Sequence, residues 1–231
     1  MIKNALILVG GFGTRLGSIT KRIPKPLIKF NKQPFIEYII NEITKFQVKK
    51  IILLCHYKYK IFYRNYHNKQ FNNIKIKCIK ENQPLGTAGS LFKAKRFING
   101  KTIVCNGDTF IKANYKEIKH LKLNKKIMFM YLVKNSTYKS NKILNDLTIK
   151  NTIVKNNTKI KRIKYMNAGF YIIDKKIIKY LKNKNSLENE VLPELIKRQL
   201  IIGKKYKKTF LDIGTKKNLK KFNLLIKYKK V

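Results

Sequence analysis

The sequence predicts an α/β protein with a mostly parallel mixed sheet and helices on both faces. Short apolar runs of strand length alternate with stretches that carry a helical stripe of apolar residues. The first apolar run, at 5–9, leads directly into a glycine-rich loop. Of the 231 residues, 44% are hydrophobic, including 13 Phe and 13 Tyr, which is enough to bury a sizeable core. We therefore expect a single domain over residues 1–231.

Each element follows from its own pattern. Apolar runs predict strands at 5–9, 50–54, 74–79, 102–105, 127–133 and 165–173. Helical periodicity predicts helices at 35–46, 88–97, 115–123, 187–200 and 216–228. Ser186 is placed to cap the fourth helix, and the last helix is basic and amphipathic. The alternation is typical of a Rossmann-like sheet.

The stretch at 134–164 departs from this pattern because it is rich in Asn, Lys, Ser and Thr. Two short β-like pieces lie at 147–149 and 152–154, and Asn151 between them favours a turn. The stretch is predicted to be a small surface hairpin inserted into the domain.

The formal net charge of +43 permits two interpretations. A basic surface attracts nucleic acid or anionic membranes. A compositional bias toward Lys, Asn and Ile explains the charge equally well. Lysine is spread over the whole chain and arginine occurs at only six positions, whereas selected nucleic-acid surfaces use arginine for bidentate contacts. We favour the bias and expect no specific nucleic-acid partner, although weak nonspecific RNA binding stays open.

Cysteine usage and hydropathy bear on location. Cys55, Cys78 and Cys105 each lie in or beside an apolar run, which is typical of buried, reduced thiols in a cytoplasmic protein. No apolar stretch approaches the length of a membrane span, and the N-terminus is not of the signal-peptide type. The oligomeric state, monomer or homo-oligomer, is left open.

The glycine loop after the first strand has the residues of a phosphate site. Gly10, Gly11 and Gly13 let backbone amides approach phosphate oxygens, Thr14 adds a hydroxyl, and Arg15 can neutralise phosphate charge. The loop matches neither the dinucleotide fingerprint nor the Walker A loop. A plain glycine turn is the alternative, which the Thr-Arg-Leu that follows disfavours.

Two further segments extend this hypothesis. Pro24 and Pro26 hold Lys25 in a stiff segment, where a second positive charge can reach the phosphates. In the segment 81–90, Gln83 can read a base edge and Gly86 lets a flat base lie on the backbone. Thr87 begins a helix whose N-terminus favours anions. The alternatives are an ordinary solvated lysine and a plain loop with a helix cap.

Two aspartates follow apolar runs at positions suited to a metal. Asp108 lies in the segment 106–109 that follows the strand at 102–105, and Asp212 lies in a similar apolar setting before Gly214. Carboxylates at the carboxyl ends of strands point into the crevice of a parallel sheet, and Mg²⁺ prefers carboxylate and phosphate oxygens. We expect Asp108 and Asp212 to hold Mg²⁺, with a helix cap as the alternative for Asp212. The three histidines, His56, His67 and His120, are expected at the surface.

The motifs together resemble the sugar-1-phosphate nucleotidyltransferase family. They are listed here in chain order: Gly-Gly-Phe-Gly-Thr-Arg-Leu at 10–16, Pro-Lys-Pro at 24–26, Pro-Leu-Gly-Thr-Ala-Gly at 84–89, Asn-Gly-Asp-Thr at 106–109, Asn-Ala-Gly at 167–169 and Asp-Ile-Gly-Thr at 212–215. The resemblance covers nearly the whole chain except about 134–164. Within the family, the D-glycero-α-D-manno-heptose 1-phosphate guanylyltransferases are the most similar group, also through the Ser-Leu-Glu at 186–188.

The resemblance implies the fold of the nucleotide-diphospho-sugar transferases (GT-A-like) and a set of roles. The implied roles are triphosphate binding for Gly10, Gly11, Gly13, Thr14 and Arg15, phosphate support for Lys25, base contacts for Gln83 and Gly86, Mg²⁺ ligation for Asp108 and Asp212, and sugar contacts for Asn167, Gly169 and Glu188. A nucleotide contact for Thr87 is predicted from its place at the helix start. Arg15, Lys25 and Asp108 are the implied catalytic residues. Many relatives carry Glu-Lys shortly before Asn-Ala-Gly, whereas 160–164 lacks a glutamate here.

The predicted function is transfer of a nucleotide from an NTP, GTP by resemblance, to a sugar 1-phosphate, a heptose 1-phosphate by resemblance. The product would be a sugar nucleotide for surface polysaccharide. A uridylyl- or cytidylyltransferase acting on another sugar or alcohol phosphate is the enzymatic alternative. A nucleotide-binding regulator without turnover and a basic RNA-binding protein are the alternatives from other classes.

Overall fold

A mixed ten-stranded sheet forms the centre of the computed structural model, which describes residues 2–134, 147–156 and 165–228. The described strands are β1 (Asn4–Leu8), β2 (Lys29–Phe30), β3 (Gln33–Pro34), β4 (Lys50–Cys55), β5 (Gln70–Phe71), β6 (Ile74–Lys80), β7 (Thr102–Asn106), β8 (Thr109–Ile111), β9 (Met128–Lys134), β10 (Leu147–Lys150), β11 (Ile153–Asn156), β12 (Tyr165–Ile173), β13 (Ile201–Lys205) and β14 (Phe210–Asp212). The central sheet has the order β10-β11-β13-β9-β12-β7-β1-β4-β6-β5.

The α-helices pack on both faces of this sheet, as predicted. They are α1 (Ser18–Arg22), α2 (Phe35–Thr44), α3 (Tyr59–Tyr66), α4 (Gly86–Lys93), α5 (Tyr115–Lys119), α6 (Leu192–Lys197) and α7 (Lys216–Lys227). Helices α2, α3, α5 and α7 contribute to the core on one face. Helices α4 and α6 contribute to the core on the other. None of the helices in the described ranges is long and apolar enough to cross a membrane.

Alternation along the central strands supplies both cores. Ile51 and Leu53 of β4 face one core, whereas Ile52 and Leu54 face the other, and all four are buried. A strand buried on both faces therefore shows as the continuous apolar run seen in the sequence. On the first face, Phe222 of α7 lies 4.8 Å, ring centroid to ring centroid, from both Phe30 and Phe35. These contacts join the C-terminal helix to the first half of the chain.

The parallel strands create the crevice that positions the site. Strand β1 pairs in parallel with both β4 and β7. The chain moves outward from β1 to β4 and β6, and then returns to β7 on the other side of β1. The strand order thus reverses between β1 and β7, and ligands of open α/β sheets bind outside the carboxyl ends of strands at such a point.

The hairpin prediction is confirmed where the structure describes it. Strands β10 and β11 pair antiparallel around Asn151 and Thr152, both of which have positive φ. They extend the central sheet at its edge through β13. The segment 160–164, where relatives carry Glu-Lys, lies outside the described residues.

Several predicted boundaries were wrong. The helix predicted at 88–97 begins at Gly86 and ends at Lys93, with a 3-10 turn following at Lys95–Phe97. The helix predicted at 115–123 ends at Lys119. The helix predicted at 187–200 is a π-helical turn, Leu187–Val191, followed by α6, and Ser186 caps it by accepting from the Asn189 amide. Strand β13, which follows, was missed.

The three cysteines are free and buried, as expected. Cys55 on β4 and Cys78 on β6 lie on neighbouring strands, whereas Cys105 lies on β7, on the other side of β1. Burial raises the pKa of the Cys105 thiol to about 12 and raises that of Cys55 well above its ordinary value. Both thiols are therefore neutral at physiological pH.

Candidate active site

A cleft of about 320 Å³ opens at the carboxyl ends of β1 and β7. One side, the loop wall, is formed by the glycine loop 10–15 with Lys25 and Asp108. The other side, the helix wall, is formed by Gly86–Ser90 at the start of α4 and by the segment 183–191. Residues lining the cleft from the two walls include Gly10, Gly11, Phe12, Lys25, Asp108, Gly86, Thr87, Ser90 and Glu188.

The glycine loop needs its glycines for different reasons. Gly13 adopts a left-handed conformation (φ 69°), and a Cβ there would lie 2.9 Å from the Thr20 side chain and 3.3 Å from Cε of Lys25. Gly11 has open space where a Cβ would stand. The loop therefore packs closely on Lys25 at one end and leaves its tip open toward the cleft.

Lys25 and Asp108 form an ion pair in the loop wall. The Lys25 ammonium donates to Oδ2 of Asp108 at 2.7 Å, and only 9% of the lysine side chain is exposed. The two neighbouring prolines fix the backbone on either side of Lys25. The Pro-Lys-Pro segment at 24–26 thus places a buried cation at the carboxyl end of β7.

Asp108 and Asp212 are brought together by the small sheet of β8 and β14. Asp212 pairs with Thr109, the residue after Asp108. The amide of Ile213 donates to the Asp108 carbonyl at 2.9 Å. The Gly214 amide donates to Oδ1 of Asp212 at 2.6 Å. A Cβ at Gly214 would lie 2.6 Å from that oxygen and 2.9 Å from a guanidinium nitrogen of Arg15, so Arg15 reaches this corner.

The donor set can be tested for a metal ion. Within residues 2–134, 147–156 and 165–228, no group of three or more His, Cys, Asp or Glu side chains forms a metal site. Two carboxylates on adjoining segments are nevertheless the protein share that Mg²⁺ takes when substrate phosphates supply further oxygens. Asp108 and Asp212 therefore fit a divalent metal ion whose remaining ligands come from outside the protein.

Sequence reasoning missed Glu81, which lies at the base of the cleft beyond β6. Glu81 is 4% exposed, and its Oε1 has no hydrogen-bond partner among the described residues. Burial raises the pKa of this carboxyl above its ordinary value, against opposing contributions from Ser90, His56 and Lys93. A buried carboxylate with an unused oxygen marks a place for a hydrogen-bond donor.

His56 corrects the expectation that all three histidines lie at the surface. Its ring lines the cleft, with Nδ1 3.1 Å from the Glu81 carbonyl oxygen. The exposed ring of Phe12 meets it edge-on at 5.5 Å between centroids. His67 is half-buried and accepts from the Cys78 amide, whereas His120 is exposed as expected.

Two of the amides at the start of α4, where the sequence predicts an anion site, already have an acceptor within the protein. The amides of Ala88 and Gly89 both donate to the Asn185 carbonyl at 3.1 Å. A helix N-terminus whose amides already have an acceptor holds an external anion poorly. The positive φ of Gly86 (73°) and a Cβ distance of 2.5 Å to the Asn185 oxygen show that this close approach requires glycine.

The residues predicted from the sequence fall into four groups, one of which, Gly13, Thr14, Arg15 and Asp212, is described by the structure but does not line the cleft. Lys25, Asp108, Gly10, Gly11, Gly86, Thr87 and Glu188 line the cleft. Gly169 lies against it, because a Cβ there would contact the Asn106 side chain at 2.6 Å, and the Asn167 side chain accepts from its amide. Gln83 is exposed and lies in a separate groove with Asn183.

Comparisons with known proteins agree with this geometry. Residues 4–228 match the family model described as Nucleotidyl transferase. The D-glycero-alpha-D-manno-heptose 1-phosphate guanylyltransferase of Campylobacter jejuni is 34% identical, with 91% of this chain and 94% of that protein covered. The mannose-1-phosphate guanyltransferase of Saccharomyces cerevisiae is 29% identical over 92% of this chain, which spans 62% of that protein.

The same fold occurs in solved structures. HddC from Yersinia pseudotuberculosis, complexed with GMP-PN, superposes with a TM-score of 0.78 at 28% identity, covering 97% of this chain and 100% of that one. The inositol-1-phosphate CTP transferase from T. maritima superposes with a TM-score of 0.77 at 17% identity, covering 98% and 95%. The predicted nucleotide-diphospho-sugar transferase fold is therefore confirmed.

Proposed function

The chain belongs to the nucleotidyl transferase family, and we propose that it joins GTP and a sugar 1-phosphate, releasing pyrophosphate. A heptose 1-phosphate is the proposed acceptor, since the Campylobacter jejuni relative named above is a heptose 1-phosphate guanylyltransferase. The observation that carries the proposal is the loop wall, where a buried lysine, an aspartate and a glycine loop meet at the switch point of the sheet.

The proposed reaction needs no general base, because the sugar phosphate is already ionised at neutral pH. One of its oxygens attacks the α-phosphorus of the NTP in line, and the bond from that phosphorus to the leaving pyrophosphate breaks. Gly10–Arg15 and Lys25 would bind and orient the triphosphate. Arg15, at the corner beside Asp212, would neutralise charge that develops on pyrophosphate.

Asp108 and Asp212 would hold Mg²⁺. When bound, the ion would screen the charge of the phosphates and fix the orientation of their oxygens. Lys25 holds the Asp108 carboxylate in one orientation in the free protein, and this orientation would be ready for the incoming nucleotide. We therefore place the phosphates between the loop tip and Asp108.

Glu81 supports guanine as the base. Guanine presents two neighbouring donors on its Watson–Crick edge, N1–H and the N2 amino group, whereas a carboxylate offers only acceptors. Glu81 lines the cleft together with Gly10, His56 and Pro84, and its Oε1 has no hydrogen-bond partner among the described residues. Adenine, uracil and cytosine do not present two adjacent donors there. Glu81 is thus the proposed base reader, in place of Gln83.

The test is a pyrophosphate-release assay of the purified protein with four NTPs and a panel of sugar 1-phosphates, including heptose and mannose 1-phosphate. Turnover with GTP and one sugar phosphate is expected, and a preference for CTP or UTP would favour the enzymatic alternative. Failure of every pair to release pyrophosphate, in a protein that still binds nucleotide, would favour a regulator without turnover.

A further inference from the structure

The two halves of the helix wall form one unit. Besides the contacts of Gly86 and of the α4 amides with the Asn185 carbonyl, a Cβ at Gly89 would lie 2.6 Å from the Asn183 oxygen. Asn185 is itself buried and accepts from the Lys182 amide through its side chain. The start of α4 therefore cannot shift relative to the segment 183–191 without losing several contacts.

Thr87 lies at the centre of this contact and uses its hydroxyl twice. Its Oγ1 accepts from the Leu187 amide at 2.8 Å. It also donates to Oε2 of Glu188. A threonine hydroxyl has a single proton, so one that donates to a carboxylate has none for a nucleotide phosphate. The Thr87 hydroxyl therefore has no proton left for the nucleotide contact that the sequence predicts.

Glu188 is held so that one of its oxygens stays available. Oε2 faces Thr87 and, at 3.4 Å, the Ser186 hydroxyl. Oε1 accepts no hydrogen bond from the residues that the structure describes. Glu188 lines the cleft, and its charge acts on the buried Tyr171, whose hydroxyl accepts from Asn167. The Glu188 carboxylate, an acceptor on the cleft, suits a ligand that carries hydroxyls.

We propose that Thr87 is a positioning residue for the sugar 1-phosphate. Its hydroxyl fixes the Glu188 carboxylate, so that Oε1 accepts hydrogen bonds from sugar hydroxyls. The choice of ligand rests on the function proposed above. Thr87 therefore governs affinity for the sugar phosphate, although the residue before it, Gly86, is predicted to contact the nucleotide base.

The experiment compares Thr87→Val, which keeps the shape and loses the hydroxyl, with Thr87→Ser, which keeps the hydroxyl. Loss of a hydrogen bond to a charged group predicts a KM for the sugar 1-phosphate raised about tenfold in Thr87→Val. The KM for GTP should stay within about twofold of wild type, a difference near 0.4 kcal/mol. Thr87→Ser should behave like wild type. In a Glu188→Ala background, which removes both carboxylate oxygens, Thr87→Val should add little further loss.

A raised KM for GTP with an unchanged KM for the sugar phosphate would overturn the proposal, as would additive losses in the double variant. A second measurement, hydrogen exchange of the Leu187 amide, reads the contact without turnover. That amide should exchange faster in Thr87→Val than in wild type or Thr87→Ser, and equal rates would show that Thr87 does not hold the segment. If the exchange rate changes in a protein that is inactive on all sugar 1-phosphates, the proposed function is contradicted, and Thr87 still holds the segment 186–188.

Discussion

The loop wall and the helix wall face the same cleft but are built in opposite ways. Half of the loop-wall residues are exposed, namely Gly11, Phe12, Thr14 and Arg15, and the chemistry of this wall depends on charge. The amides and hydroxyls of the helix wall are largely satisfied within the protein, and its glycines pack against backbone. The difference indicates that the loop wall is completed by its ligand, whereas the helix wall is preformed.

The largest effect should come from Asp108→Asn in the loop wall. Loss of the negative charge should lower kcat roughly a thousandfold, because it removes a metal ligand and the partner of Lys25. Pyrophosphate release measures turnover, and near-ultraviolet circular dichroism should show an intact fold. Near-normal turnover in this variant would be incompatible with the metal assignment.

The comparison of walls predicts opposite outcomes for two Gly→Ala substitutions. Gly86→Ala should destabilise the protein by at least about 2 kcal/mol, because the new Cβ would stand on a backbone in the left-handed region and would clash with the Asn185 carbonyl. Gly11→Ala should change stability by less than about 1 kcal/mol, because its Cβ meets open space. It should instead weaken GTP binding. Urea unfolding measures the stability of both variants, and calorimetric titration measures their affinity for GTP. Equal stability losses in the two variants would contradict the difference proposed between the walls.

Glu81 lies where the walls meet and predicts a pH dependence. Its raised folded pKa means that the folded chain binds this proton more tightly than the unfolded chain. Stability therefore falls as pH rises from the ordinary carboxyl pKa through the folded pKa. Glu81→Gln should gain stability relative to wild type across that window and show a constant difference below it. Unfolding at about pH 4 and about pH 7 tests this, the lower value lying near the ordinary carboxyl pKa.

The same variant should lose its preference for GTP, since glutamine replaces one acceptor with a donor. The ratio of kcat/KM for GTP to that for the other NTPs reports the change. An unchanged ratio, together with the expected stability gain, would make Glu81 a buried structural carboxylate and remove the base assignment.

Gln83→Ala should have the smallest effect. The side chain is exposed and lies outside the cleft, so the KM for GTP should change by less than about twofold, as for ordinary surface substitutions. A large rise in that KM would instead restore the base role predicted from the sequence. The assay is the pyrophosphate release described above.

The two walls also differ in how far the sequence predicts them. The loop wall consists of contiguous motifs beside strands that are buried on both faces, and such strands appear as unbroken apolar runs. Thr87 and Glu188 are 101 residues apart, and no local sequence pattern predicts their contact. Glu81 could have been suspected, because an acidic residue at the end of a parallel strand is as suggestive there as at Asp108.

The fold shows the same division. Strand β13 was missed because its sequence, Ile-Ile-Gly-Lys-Lys, is apolar only at its start. The pairing of β8 with β14 involves three residues on each side and is set by tertiary contacts. The π-helical turn at Leu187–Val191 follows a helical periodicity that does not distinguish it from an α-helix. Local propensity therefore predicted the parallel strands of the first half of the chain better than the elements of the second half.

The buried thiols offer a way to watch the protein open. Cys55, Cys78 and Cys105 mark three strands of the central sheet, β4, β6 and β7, and burial keeps the Cys55 and Cys105 thiols protonated. An alkylating reagent reaches them only in molecules whose central strands have separated. The rate of labelling thus reports how often the sheet opens, and bound GTP should slow the labelling in proportion to occupancy.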